Sequence, residues 1–267
     1  MQGTPSRTVK AALGAGSSMQ FPMWLDFGIV TLHPHFFFEG LGYVVGLGLM
    51  AREGSRRGDA LDGTHRGMLI ITALLGAIIG AKTLAWLEHA PQTLQFVSEE
   101  PFRLIGGKTI VGGLLGGTLA VELVKKRLGV TERTGDIYVT PLLASISIGR
   151  LGCFFSGMDD MTFGYHSDLP WAVDFGDGAR HPTQIYEILF LAYIGTRFWQ
   201  QERGGLLLPP GARYQLFMIF YLGWRLSVDF IKPADISFLL LSPIQWACVF
   251  GVIYFMRDYR RTVAGGD

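Results

Sequence analysis

Long apolar runs alternate with short charged stretches along the chain, and the runs approach membrane-crossing length. A helix rising 1.5 Å per residue needs about 17 to 25 mostly apolar residues to cross a hydrocarbon core. Seven stretches reach or approach that length, several short or interrupted by Gly: Phe36 to Ala51, Met68 to Leu87, Thr109 to Val124, Ile137 to Phe155, Thr183 to Trp199, Tyr214 to Phe230 and Phe238 to Met256. The pattern predicts an all-α integral membrane protein of about seven transmembrane helices. Residues 1–35 read as an N-terminal outer-surface segment, 36–256 as one polytopic membrane domain and 257–267 as a basic cytoplasmic tail. The N-terminus lacks a basic start leading into an apolar region, so no cleavable signal peptide is expected. Phe21, Trp24, Leu25 and Phe27 read as interfacial anchors.

Charge orients the spans, because cytoplasmic connections carry the excess of Lys and Arg. One set of connections holds fourteen: Arg52, Arg56, Arg57, Arg66, Lys125, Lys126, Arg127, Arg133, Arg197, Arg203, Arg213, Arg257, Arg260 and Arg261. The opposite set holds six, namely Arg7, Lys10, Arg103, Lys108, Arg180 and Lys232. That alternation puts the N-terminus outside and the C-terminus in the cytoplasm. An Asp-rich loop region after Arg150 then lies on the outer, periplasmic side.

Composition agrees, with 49% hydrophobic against 17% charged residues. The net charge of +1 and the lack of an aromatic-basic patch give no reason to expect nucleic acid as a partner. Two cysteines, Cys153 and Cys248, stand far apart in apolar segments and read as small hydrophobes. His33 and His35 are not followed by further ligands at a zinc-like spacing. Neither a metal nor a cofactor is expected.

Polar groups inside the apolar runs are the candidate chemistry. An arginine at mid-membrane depth costs roughly 2.5 to 3.5 kcal/mol on insertion scales unless it faces a cavity or a partner. Arg150, flanked by Gly149 and Gly152, and Arg225 both lie in such runs. Tyr221, Arg225 and Asp229 share one helical face at i, i+4 and i+8. An internal Arg225 to Asp229 ion pair and a cation aimed at an anionic ligand both fit that spacing. Gln184 and Glu187, just after His181, read as facing the bundle interior. Glu39 reads either as a cavity-facing acid or as an anion at a helix start. Gly76 and Gly80 form a small-xxx-small pattern followed by Lys82, about one turn from Trp86, and Lys108 stands in a glycine-rich loop from Gly106 to Gly117. The glycine order there does not match a phosphate-binding P-loop.

Three ordered segments then combine: GRLGCF at Gly149 to Phe154, RHPTQIYE at Arg180 to Glu187 and YLGWR at Tyr221 to Arg225. Together with Gly80 to Lys82 and the Gly106 to Gly117 loop, this set resembles the prolipoprotein diacylglyceryl transferase family over roughly Glu39 to Phe250. The resemblance implies a multi-pass enzyme of the bacterial inner membrane. It would move the diacylglyceryl group of phosphatidylglycerol onto the thiol of a lipobox cysteine in a prolipoprotein, releasing glycerol phosphate. Arg150, Arg225 and Tyr221 would hold the head group, with Gly149, Gly152, Cys153, Gly164, His181, Gln184, Glu187, Lys82 and Lys108 around the substrate. The chain departs from the family pattern at the acceptor side. Val111 stands where the family has a histidine, Glu39 where it has a tyrosine, and Cys153 and Ser156 where it has asparagines. The proton acceptor is therefore sought among Glu39, Asp159, Asp160 and His166. Two alternatives stay open: a paralogue serving another acceptor, and a non-catalytic phospholipid-binding membrane protein.

Overall fold

The computed structural model describes residues 20–57, 63–100, 102, 104, 106–233 and 239–265. Arg7, Lys10, Arg103 and Phe238, with residues 1–19 of the N-terminal segment, lie outside the described residues. The elements are mainly helical: α1 (Pro34–Arg57), α2 (Gly63–Glu88), α3 (Ala90–Glu99), α4 (Ile110–Leu128), α5 (Val139–Ser156), α6 (Thr183–Arg203), α7 (Ala212–Val228) and α8 (Pro243–Val263). Each of the seven apolar stretches overlaps one long helix. Two segments, Gly63–Glu88 and Gly135–Asp160, are long and apolar enough to cross a membrane.

Helix ends follow local chemistry. Thr109 caps α4, its hydroxyl accepting from the Gly112 N–H at 3.2 Å. Gly129 ends the same helix at φ 69°, a conformation that only glycine adopts without strain. A reciprocal Ser242/Gln245 capping box starts α8 at Pro243, a few residues later than hydropathy alone suggests. Helix α3 occupies the connection between α2 and α4. Pro91 favours its first turn, and Leu94 and Val97 project from it with 72% and 60% of their surface exposed.

Consecutive long helices run in opposite directions, so their ends collect into two layers. One layer holds the starts of α1, α4, α6 and α8 and the ends of α2, α5 and α7. Here Glu88 on α2 accepts from the Ile244 N–H of α8 at 2.9 Å, and Lys82 donates to the Gly106 and Gly107 carbonyls, both at 2.9 Å. The other layer is tied by Glu202, which pairs with Arg56 at 3.1 Å and also with Arg57 and Arg213. Arg133 meets Asp258 at 3.2 Å in the same layer.

Close packing runs through glycine. Along α2 and α4, a Cβ added at Gly80 would sit 2.3 Å from the Gly112 carbonyl oxygen, and one at Gly116 would sit 2.4 Å from that of Gly76. Backbones approach this closely only where side chains are absent. Between α1 and α5, Ser145 donates to the Gly42 carbonyl at 2.9 Å, and a Cβ at Gly152 would lie 2.9 Å from that of Phe38. The opposite surfaces are apolar: Ile71, Leu74, Ile78 and Ile79 on α2 are each more than half exposed.

Gly80→Ala is expected to destabilise the fold by about 1–3 kcal/mol through overpacking. Gly48→Ala, where a Cβ meets nothing within 4 Å, should not. Thermal unfolding of the two variants in detergent checks this: equal midpoints would contradict the packing described.

Candidate active site

Arg150, Glu187, Tyr221 and Arg225 converge inside the first layer. Arg150 sits on α5 six residues before its end, Glu187 one turn into α6, and Tyr221 and Arg225 in the last two turns of α7. All four are buried, with Glu187 and Tyr221 at 1% exposure. The Glu187 carboxylate joins them. Its Oε1 accepts from the Tyr221 hydroxyl at 2.7 Å, and its Oε2 lies 2.9 Å from Arg150 Nε and 3.3 Å from Arg225 Nη1. Arg225 Nη2 also donates to Asp229 Oδ1 at 2.7 Å, so the i, i+4 pair read from spacing exists beside the longer-range one. Two acids thus offset two guanidinium groups, and the buried Arg225 Nε has no hydrogen-bond partner among the described residues.

Lys232 adds a further cation immediately after α7. Burial, together with the positive charge of Arg225 and Arg150, pulls its ammonium down to about 7, against the opposing effect of Asp229 and Glu187. Sequence reading counted Lys232 only as an outer-loop charge. Its adjacency to both arginines depends on the 3-10 turn Asp229–Ile231 that ends α7.

A cover built from two segments closes this end. The chain after α5 makes a 3-10 turn, Gly157–Asp160, then the hairpin β3 (Val173–Asp174) and β4 (Ala179–Arg180). Backbone bonds join Gly164 to His181 at 2.9 Å and Tyr165 to Ile231 at 2.9 Å. Gln184 donates to the Thr162 hydroxyl at 3.1 Å, and His181 Nδ1 lies 3.2 Å from the Tyr186 hydroxyl. A second hairpin, β1 (Leu25–Asp26) with β2 (Thr31–Leu32), is anchored by the Met23 N–H on the Phe155 carbonyl at 2.9 Å. An open apolar pocket of about 580 Å³ lies against the cover, lined by Phe154, Trp171, His181, Tyr186, Leu189 and Ile231 among others, with Trp171 and Leu189 more than half exposed.

The remaining candidates separate into those near this centre and those away from it. Cys153, one turn along α5, accepts from Arg150 Nη1 at 3.7 Å. Asp160 and Glu39 flank His35: Asp160 Oδ1 is 2.8 Å from Nδ1, and Glu39 Oε2 is 3.4 Å from Nε2. Lys108 pairs with Glu39, and Asp159 lies 3.5 Å from His33 at the exposed rim. His166 is carried off to the β-hairpin, its ring against Gly178 and its backbone bridged to Arg180. Arg180 is held there by Asp177, whose carboxyl it keeps below the usual range. Lys82 is occupied by loop carbonyls. A Cβ at Gly149 meets nothing within 4 Å, whereas one at Gly164 would strike the Ile231 carbonyl oxygen at 2.8 Å. Val111, at 1% exposure, is core packing and brings no titratable group. His35 is the residue that sequence reading set aside; its meeting with Cys153 and Asp160 depends on the α1–α5 crossing.

Comparison with known proteins bears on the same residues. The chain is 28% identical to a Bordetella avium protein over 269 residues, covering 91% of this chain and 98% of the relative. It is 30% identical to a Geobacter sulfurreducens protein, covering 84% and 88%, and 30% identical to one from Nitratidesulfovibrio vulgaris, covering 82% and 85%. All three are named phosphatidylglycerol--prolipoprotein diacylglyceryl transferase. Residues 22–257, which contain the whole arginine–glutamate centre and its cover, match the family described as prolipoprotein diacylglyceryl transferase, and the chain belongs to that family.

Proposed function

We propose that this protein transfers the diacylglyceryl group of phosphatidylglycerol to the lipobox cysteine of prolipoproteins at the outer face of the bacterial inner membrane. The observation that carries the reading is the buried pair Arg150 and Arg225, held on one carboxylate, with an apolar pocket on the same layer of the bundle. Guanidinium groups suit a phosphodiester, whose leaving oxygen gains charge as the glyceryl carbon is attacked. The cavity supplies apolar volume for the lipid. Family membership and the relatives' names support the substrate pair.

The seven long helices serve as transmembrane spans, with the N-terminus outside and the C-terminus cytoplasmic. Exposed Leu and Ile on α2 suit lipid contact, and the Glu202-tied layer carries the Arg-rich connections of the cytoplasmic side. Helix α3 then lies along the outer surface with Leu94 and Val97 toward lipid.

The reading is tested by mass spectrometry of a lipobox peptide incubated with the purified protein in phosphatidylglycerol vesicles. A diacylglyceryl mass gain with matching glycerol phosphate release is expected, and Arg150→Ala should lower it by about 100-fold or more, the scale of one lost anion-stabilising donor. Lipid binding without release would instead support the non-catalytic alternative. A lipid product on another acceptor would support the paralogue.

Glu187→Gln removes the shared counter-charge of two buried arginines. Breaking a buried pair in this way costs about 3–5 kcal/mol. A reduced unfolding midpoint together with loss of transfer is expected, and an unchanged midpoint would contradict the bridging role.

Lys232 makes head-group binding depend on pH. Its ammonium is charged below about 7 and neutral above, so the centre gains a positive charge as pH falls. The KM for phosphatidylglycerol should therefore fall between pH 8 and pH 6, and Lys232→Met should flatten the profile. An identical slope in that variant would assign the dependence to another group.

A further inference from the structure

His35, Cys153 and Asp160 come from three separate elements: the first turn of α1, the last turn of α5 and the 3-10 turn that follows it. One ligand-type atom from each lies within 4.8 Å of the other two. We propose that these residues form a three-ligand site for a divalent transition metal of the zinc class, with a fourth position open to the acceptor thiol. The nitrogen, sulfur and oxygen donors are those zinc takes, and three protein ligands with one open position is the catalytic form of such sites.

Three donor types meet at one point between α1 and α5. Although His35 Nδ1 and Asp160 Oδ1 are 2.8 Å apart, the buried ring nitrogen has no hydrogen-bond geometry to any described residue. The other ring nitrogen, Nε2, lies 3.4 Å from Glu39 Oε2, which gives the carboxylate–histidine arrangement that orients metal-bound imidazoles. Thr162 donates to the remaining Asp160 oxygen, Oδ2, at 2.9 Å and steadies that carboxylate. Gly152 lets α1 and α5 approach, since a Cβ there would lie 3.3 Å from the His35 Cα. Bonds of 2.0–2.3 Å around zinc put ligand atoms about 3.3–3.8 Å apart, so an entering ion takes the place of the 2.8 Å His35–Asp160 contact and the side chains rotate about it.

The site deepens the transferase reading and rests on it for its chemical role. Cys153 Sγ touches Arg150 Nη1 at 3.7 Å, so the metal position abuts the arginine pair. An acceptor thiol taking the open position gives up its proton to solvent at the Asp159 rim. The resulting sulfur attacks the glyceryl carbon. Its lone pair forms the C–S bond, and the C–O bond to phosphate breaks, with that electron pair leaving on glycerol phosphate. No oxidant or reductant is required. The metal then supplies thiol activation that Val111 does not.

The test reads metal directly, without lipid or peptide. The purified full-length protein should carry one equivalent of zinc by elemental mass spectrometry. Cobalt loading should produce a thiolate-to-cobalt charge-transfer absorption. Cys153→Ser should abolish that band, His35→Gln should abolish stoichiometric binding, and Glu39→Gln should weaken affinity by about 10–100-fold while keeping the band. Cys248→Ser, at the buried cysteine on α8, should change nothing. Circular dichroism and size exclusion check each fold, and Asp160→Asn replaces any variant that fails to fold. Less than stoichiometric metal, or a band that survives Cys153→Ser and disappears with Cys248→Ser, overturns the site. Metal present without transfer would count against the transferase reading alone; transfer without metal would count against this proposal alone.

Discussion

One carboxylate organises the functional end of this protein. Glu187 faces two arginines and a tyrosine hydroxyl from inside an apolar bundle, where each charge taken alone would be costly. The arrangement is strongly interdependent. Without Glu187 the guanidinium groups of Arg150 and Arg225 repel each other; without either arginine the carboxylate is left partly unpaired. Helices α5, α6 and α7 are thereby locked at one relative depth.

Packing elsewhere holds that depth. Glycine faces bring α2 onto α4 and α1 onto α5, so these pairs act as stiff units. At the opposite end Glu202 gathers Arg56, Arg57 and Arg213 from α1 and α7. The cover is joined through backbone bonds to Ile231, directly beside Lys232. Loop position and charge at the centre are therefore mechanically linked.

Much of the helical frame was legible in the sequence because burial and lipid contact both demand apolar runs. The stretch Thr109 to Val124, interrupted by glycines, falls on α4 (Ile110–Leu128). Helix α3 escaped because ten residues with few apolar positions resemble a polar loop. Arg150, Arg225 and Tyr221 stood out as charges and a hydroxyl in apolar surroundings. Glu187 was legible only as inward-facing: its arginine partners are 37 and 38 residues away, beyond the reach of helical periodicity. His35 was harder still. Metal-ligand spacing rules look along the chain, whereas Cys153 reaches His35 only through a helix crossing that small residues permit. The motif departures at Val111 and Cys153 mark the acceptor side as altered, but only the fold shows which polar groups stand there instead.

The central claim is that the arginine pair on Glu187 receives the lipid phosphate. Its most direct measurement is an experimental structure of the protein in phosphatidylglycerol nanodiscs. The account predicts a head-group phosphate within hydrogen-bond reach of Arg150 and Arg225, with an acyl chain in the cavity beside Trp171 and Tyr186. A phosphate bound away from both guanidinium groups, with the Arg150–Glu187–Arg225 cluster closed on itself, would contradict it.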